Sequence, residues 1–281
     1  MYSFLTSADG VPDATPEILA SAFGVQVSEI DVSDSSDWES RNWDALVTCE
    51  YEHLEGDLTW SLSVYKAKEV ARNPSEEELA VLLSRGLNAP VFFAWGGELP
   101  WIRRVAQPDG GITLARVADS DDDGTGFSVQ AAESAITRFP NVPVMNFPEV
   151  VRVFGIPTPV ADSVAPPGTS GELKKVRGLL VNWERLGIRM RSGWPPSDWY
   201  SAEMYREDLN LRDQLEEILK EFPEVDRIKA AVSALDAQYR DLSVEDRGSA
   251  LSAALDVEST ALSGRPWYWQ RRPAVLPWAG E

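Results

Sequence analysis

The stretch Gly155–Gly171 (Gly-Ile-Pro-Thr-Pro, then Ala-Pro-Pro-Gly-Thr-Ser-Gly) separates two parts of the chain that carry different hydrophobic periods. Proline lacks a backbone N–H, and glycine is costly to order, so a run rich in both neither continues a helix nor sustains a strand. Before it, short apolar runs alternate with turn signals; after it, apolar residues recur every 3.6 positions. The pattern predicts an α+β fold. Residues 1–155 form an acidic domain with a mixed or antiparallel sheet and two helices, 156–171 a linker, and 172–262 a small helical domain of about four helices. Residues 263–281, rich in tryptophan and arginine, read as a C-terminal strap.

Local signals in the first part are specific. Thr15-Pro16-Glu17 reads as a helix start, with a threonine cap, proline in the first turn and a favourable acid beside it, and Gly24 as its stop. Residues 46–54 and 58–65 alternate around Glu55-Gly56-Asp57, a hairpin signal. Ser75 through Glu78 is a capping box opening a second helix, with Gly86 near its end. Pro90–Trp95 reads as a buried strand, followed by a hairpin around Pro108-Asp109-Gly110-Gly111. Helix, strand and hairpin thus occur twice in the same order, which suggests a duplicated α-β-β-β unit.

In the second part, Leu173, Val176, Leu180 and Trp183 mark one helix, and Met204, Leu211, Leu215, Ile218 and Phe222 a second. Val225, Ile228, Val232, Leu235 and Tyr239 mark a third, and Ser243 caps a fourth that carries Leu251 and Leu255.

The chain has one histidine, His53, and one cysteine, Cys49. It therefore cannot build a His-rich metal centre, a CxxC redox pair or a zinc ribbon from its own residues. His53 lies at a hairpin tip beside Glu52 and Glu55, which suits a turn residue better than a general base. Cys49 reads as a small core residue. No P-loop, dinucleotide-binding glycine motif, nucleophile elbow or HExxH motif is present.

Charge is the other constraint. The formal net charge is −19, and it is unevenly spread: residues 1–70 contain 14 acidic and 3 basic side chains, whereas residues 171–281 contain 19 and 16. Such a surface repels nucleic acid and anionic lipid and attracts a basic protein. No apolar run approaches the ~20 residues of a membrane helix. The N-terminus lacks the basic region and apolar core of a signal peptide, and a single cysteine forms no internal disulfide. These point to the cytoplasm.

Two candidate sites follow. Asp119-Ser120-Asp121-Asp122-Asp123-Gly124 resembles the start of an EF-hand calcium loop, with oxygen ligands at Asp119, Asp121 and Asp123 and glycine for the turn. It departs at the twelfth position, where Gln130 replaces the bidentate carboxylate. Asp119, Asp121 and Asp123 are therefore the candidate ligands for calcium, or for the divalent cation of a carboxylate-dependent hydrolase. The second candidate combines acid with exposed aromatics. Asp37, Glu50, Glu52 and Asp57 would steer a basic protein partner, and Trp38, Trp43, Trp267 and Trp269 would anchor it. The leading expectation is a non-catalytic, immunity-type or inhibitor-type binding module; the competing one is a metal-dependent enzyme or a calcium-binding protein.

Overall fold

A computed structural model describes residues 1–119, 126–220, 225–258 and 261–278. The chain forms two units, Met1–Phe147 and Pro148–Glu281. The first is built on a mixed sheet and the second on helices, so the fold class is α+β as the periods indicate.

In chain order, the first unit contains β1 (Tyr2–Thr6), α1 (Val11–Phe23), β2 (Ile30–Asp34), β3 (Val47–His53), β4 (Glu55–Gly56) and β5 (Trp60–Lys66). It continues with α2 (Glu76–Leu87), β6 (Val91–Ala94), β7 (Ile102–Ala106), β8 (Ile112–Asp119) and β9 (Gly126–Ala132). Among the described residues these strands make one sheet in the order β2-β3-β5-β1-β6-β7-β8-β9-β4. Neighbours from β3 to β9 run antiparallel, whereas β2 lies parallel to β3. The two α-β-β-β runs therefore differ in connectivity. The second is a meander, β6-β7-β8, whereas the first opens on a parallel pair.

Alternation sorts the side chains onto two faces. Phe4, Cys49, Leu62, Val64, Val91 and Phe93 join Leu19, Phe23, Leu79 and Leu83 of α1 and α2 in one core. Leu5, Phe92, Val105, Ala115, Val117 and Val129 fill a second core with Leu54 and Leu58. The sheet curls over this second core because the tip between β3 and β5 reaches β9, where β4 pairs in parallel with Gly126 and Phe127. A Cβ on Gly56 would lie 2.5 Å from the Phe127 carbonyl oxygen, so only glycine permits that approach. Gly86 likewise lies inside α2, where a Cβ would meet Ile18 of α1 at 2.4 Å. It is a packing glycine, and Asn88 in the left-handed conformation caps the helix instead.

α1 begins earlier than Thr15. Gly10 precedes it, Pro12 and Pro16 both lie within it, and the Thr15 hydroxyl donates to the Val11 carbonyl at 2.6 Å instead of capping. Pro12 is tolerated because the first turn has no intrahelical partners for its N–H groups, whereas Pro16 lies inside the helix and supplies no amide to the turn before it. Burial pushes the Cys49 thiol up to about 12, so it remains a neutral core side chain.

The second unit contains α3 (Pro148–Val153), α4 (Pro159–Val164), α5 (Gly171–Arg191), α6 (Ala202–Ile218) and α7 (Val225–Leu242). β10 (Ser243–Glu245), α8 (Ser249–Ala254) and β11 (Arg271–Pro273) follow. α4 lies within the Pro/Gly-rich stretch, and Glu184 of α5 accepts from its Val160 and Ala161 amides. Ser243 opens a strand, not a helix. Its hydroxyl donates to the Tyr239 carbonyl, and the last helix starts after Gly248. The core is unusually polar at its centre. Asp236 accepts from Trp183 Nε1 at 2.9 Å and from Arg212 Nε and Nη2 at 3.2 and 2.9 Å. The Arg212 guanidinium lies over the rings of Trp183 and Tyr268.

Asp208 is buried on α6 and accepts from the Tyr200 hydroxyl at 2.6 Å. Burial pushes its carboxyl up to about 7, against the opposing pull of that hydrogen bond and of Arg189. An acid raised in the folded state stabilises the fold fully below its unfolded value of about 3.9 and loses that contribution as pH rises through its folded value. Urea unfolding of the full chain is expected to show stability falling by up to about 1.4 kcal/mol per pH unit between pH 5 and 7 from this group. Asp208→Asn should remove that slope; an unchanged slope contradicts the account.

Candidate protein-docking surface

Because β2 and β3 run parallel, the chain must return from the end of one to the start of the other, and residues 35–46 make that crossover. The segment contains no helix or strand, and its shape comes from side chains. Asp34 accepts from the Ser36 amide at 2.9 Å and the Ser36 hydroxyl at 2.6 Å. Asp37 accepts from the Glu39 and Ser40 amides at 3.1 and 3.2 Å and from the Ser40 hydroxyl. These are Asx-type turns, in which a short acid replaces the backbone as acceptor. The Ser36 and Ser40 donors, hydroxyl first and amide second, hold the Asp34 and Asp37 carboxyls below their ordinary range, so both stay charged.

Arg41 organises the rest. Its side chain is only 7% exposed, and Nη1 meets Glu50 Oε1 of β3 at 2.5 Å. Nε donates to the Asp37 carbonyl at 2.7 Å, and Nη2 to the Asp34 and Ser35 carbonyls at 3.3 Å. The planar guanidinium serves four acceptors at once, which lysine cannot do. Its carbon Cζ lies 5.0 Å from the Trp38 ring centroid and 5.7 Å from that of Trp43. The two indoles stack on each other at 5.9 Å. They are nonetheless 65% and 66% exposed. A second tie, from the Asn42 amide to Asp31 Oδ1 at 2.9 Å, fastens the crossover to β2.

The structure thus gathers Asp37, Trp38, Trp43 and Glu50 around a residue that sequence reading passed over, Arg41. Its signal was present: residues 29–57 contain ten carboxylates and a single arginine, and that arginine stands between two tryptophans. Glu52 is exposed on β3, two residues beyond Glu50. Asp57 is not a free acid. It accepts from the Val129 amide at 2.8 Å, its own amide donates to Phe127, and it fastens the hairpin tip to β9.

Trp269 is an internal residue. It is 2% exposed, its Nε1 donates to Asp213, and Arg265 lies over its ring at 4.0 Å. Trp267 is half-buried under Arg240, 3.7 Å from the ring centroid. The C-terminal segment is a strap within the helical unit, completed by β11 pairing with β10, and Arg265 pairs there with Asp213 at 2.6 Å. Asp119 ends β8 as an exposed residue; Asp121 and Asp123 lie outside the described residues. Among the described residues no three His, Cys, Asp or Glu side chains converge on a common point, and no helix is long and apolar enough to cross a membrane.

No family model, curated protein or solved structure matches the chain.

Removing Arg41 takes the ion-pair partner from Glu50 and the side-chain donor from the Ser35 and Asp37 carbonyls, while the Asp34 carbonyl keeps the Asp37 amide. Arg41→Ala is expected to lower stability by about 1–3 kcal/mol in urea unfolding, with Arg41→Lys restoring less than half of the loss. Full recovery by lysine would show that charge alone, and not the fork, holds the crossover.

Proposed function

We propose that the chain is a protein-binding module that docks a basic protein partner through the acidic crossover of its first unit. The observation that carries this reading is the exposed Trp38–Trp43 stack, held by a buried arginine inside an otherwise acidic segment. Exposed aromatic rings cost solubility unless they have a use, and tryptophan leads the residues that anchor interfaces. The pair is ordered before any partner arrives, which limits the entropy lost on binding. Arg41 contributes no free positive charge, because Glu50 and the carbonyls occupy it. The segment around it carries Asp31, Asp34, Asp37, Glu39, Asp44 and Glu52, and Arg41 is the one lysine or arginine between residues 29 and 57. A cytoplasmic inhibitor or immunity-type protein that neutralises a cationic partner by occupying its surface fits this arrangement.

The test uses a partner captured from the source cells on immobilised full-length chain. Trp38→Ala with Trp43→Ala is expected to weaken that partner by at least about tenfold, equivalent to about 1.4 kcal/mol. Raising salt should slow association and leave dissociation nearly unchanged. An on-rate indifferent to salt, together with full affinity in the double variant, overturns the proposal.

A further inference from the structure

We infer that the open edge of β2 receives an extended cationic segment of the partner as an added strand. This rests on the docking role proposed above and specifies its geometry. β2 pairs with β3 on one side, and no described strand lies on the other. The Ser35 amide donates to the Tyr51 carbonyl, so in this parallel pair the odd-numbered residues direct their backbone groups at β3. By alternation, Ile30, Val32 and Asp34 direct theirs outward. Two of those outward groups are used: the Ile30 amide bonds Val27, and the Asp34 carbonyl takes the Asp37 amide and Arg41. The Val32 amide and carbonyl have no partner among the described hydrogen bonds, and the Ile30 carbonyl and Asp34 amide flank them.

Proteins blunt such edges with proline, lysine, bulges or a covering element. Ile-Asp-Val-Ser-Asp has no proline, lysine or bulge, and the crossover is tied to the Asp31 side chain and to Glu50, not to the outward backbone groups of Val32. The edge is selective through its charge. A second copy of this chain pairing antiparallel about Val32 would bring two strands together that each carry Asp31 and Asp34 and no cation, and that concentration of like charge opposes it. A segment alternating lysine or arginine with aliphatic residues meets no such penalty. Its apolar side chains continue the surface of Ile30 and Val32 on the α1 side. Its cations extend the Asp31 face, toward the acids of the crossover and the Trp38 and Trp43 rings that attract cations. Main-chain bonds supply affinity and the alternate side chains supply specificity, the general logic of strand addition.

The experiment titrates the full chain at low ionic strength with the peptide Lys-Val-Lys-Val-Lys-Val-Lys and with a version N-methylated on alternate residues. The methylated peptide keeps the charge and loses the pairing donors. Val32→Pro is the matching protein variant, since proline is tolerated where a strand N–H faces outward, and circular dichroism checks its fold. We expect the plain peptide to bind and to protect the Val32 amide from hydrogen exchange, with methylation and Val32→Pro each weakening it by about tenfold or more. Equal binding of both peptides overturns the added strand while leaving the acidic docking role standing. Binding of neither peptide overturns both.

Discussion

The parallel pairing of β2 with β3 is the constraint on which the rest of the docking surface depends. An antiparallel pair can close through two residues, but a parallel pair needs a connection of about a dozen, commonly a helix. Here twelve residues without regular structure span the gap, from Ser35 to Leu46. A segment of this kind leaves backbone groups unsatisfied and repels itself through its acids. Arg41 answers both needs, since one guanidinium bridges Glu50 to three carbonyls. With that arginine drawn inward, the two tryptophans that flank it turn out toward solvent. The same parallel pair leaves β2 at the edge of the sheet, so aromatic rings, acids and free backbone groups arise together from one topological choice.

The second unit uses the same side-chain types in the opposite way. There arginine and tryptophan meet inside, with Arg212 between Asp236 and two aromatic rings, and Arg265 over Trp269. A buried ion pair of this kind is a poor source of net stability, but losing either member leaves a charge without a partner. It fixes how α5, α6 and α7 meet: Trp183, Arg212 and Asp236 come one from each. An arginine–tryptophan cluster is thus internal or external according to whether the segment around it has an apolar face to bury.

Much of this was legible in the sequence. The capping box at Ser75, the stop at Gly24, the hairpin near Gly56 and the long helices after residue 171 follow from local rules, and the structure shows each of them. What was not legible depended on contacts far apart in the chain. Nothing near Asp57 indicates that its carboxylate serves Val129, seventy-two residues on. Nothing local distinguishes Trp269 from Trp43, since Trp269 is buried by the helical core and by Asp213, fifty-six residues away. Gly86 lies near the end of α2 as the sequence indicates, but its packing role is not legible there because its partner, Ile18, lies on another helix. A mixed sheet is within the expectation, but which pair runs parallel was not legible: a strand's direction relative to its neighbour leaves no mark on its own residues.

The central claim is that the crossover is already rigid in the free protein because Arg41 holds it. Backbone 15N relaxation of residues 35–46, without any partner, measures this directly. The account predicts order parameters near those of the adjoining strands, about 0.8, falling below about 0.6 in Arg41→Ala. Values below about 0.6 in the unaltered chain would contradict it, since the tryptophan pair would then be a mobile loop and not a prepared surface.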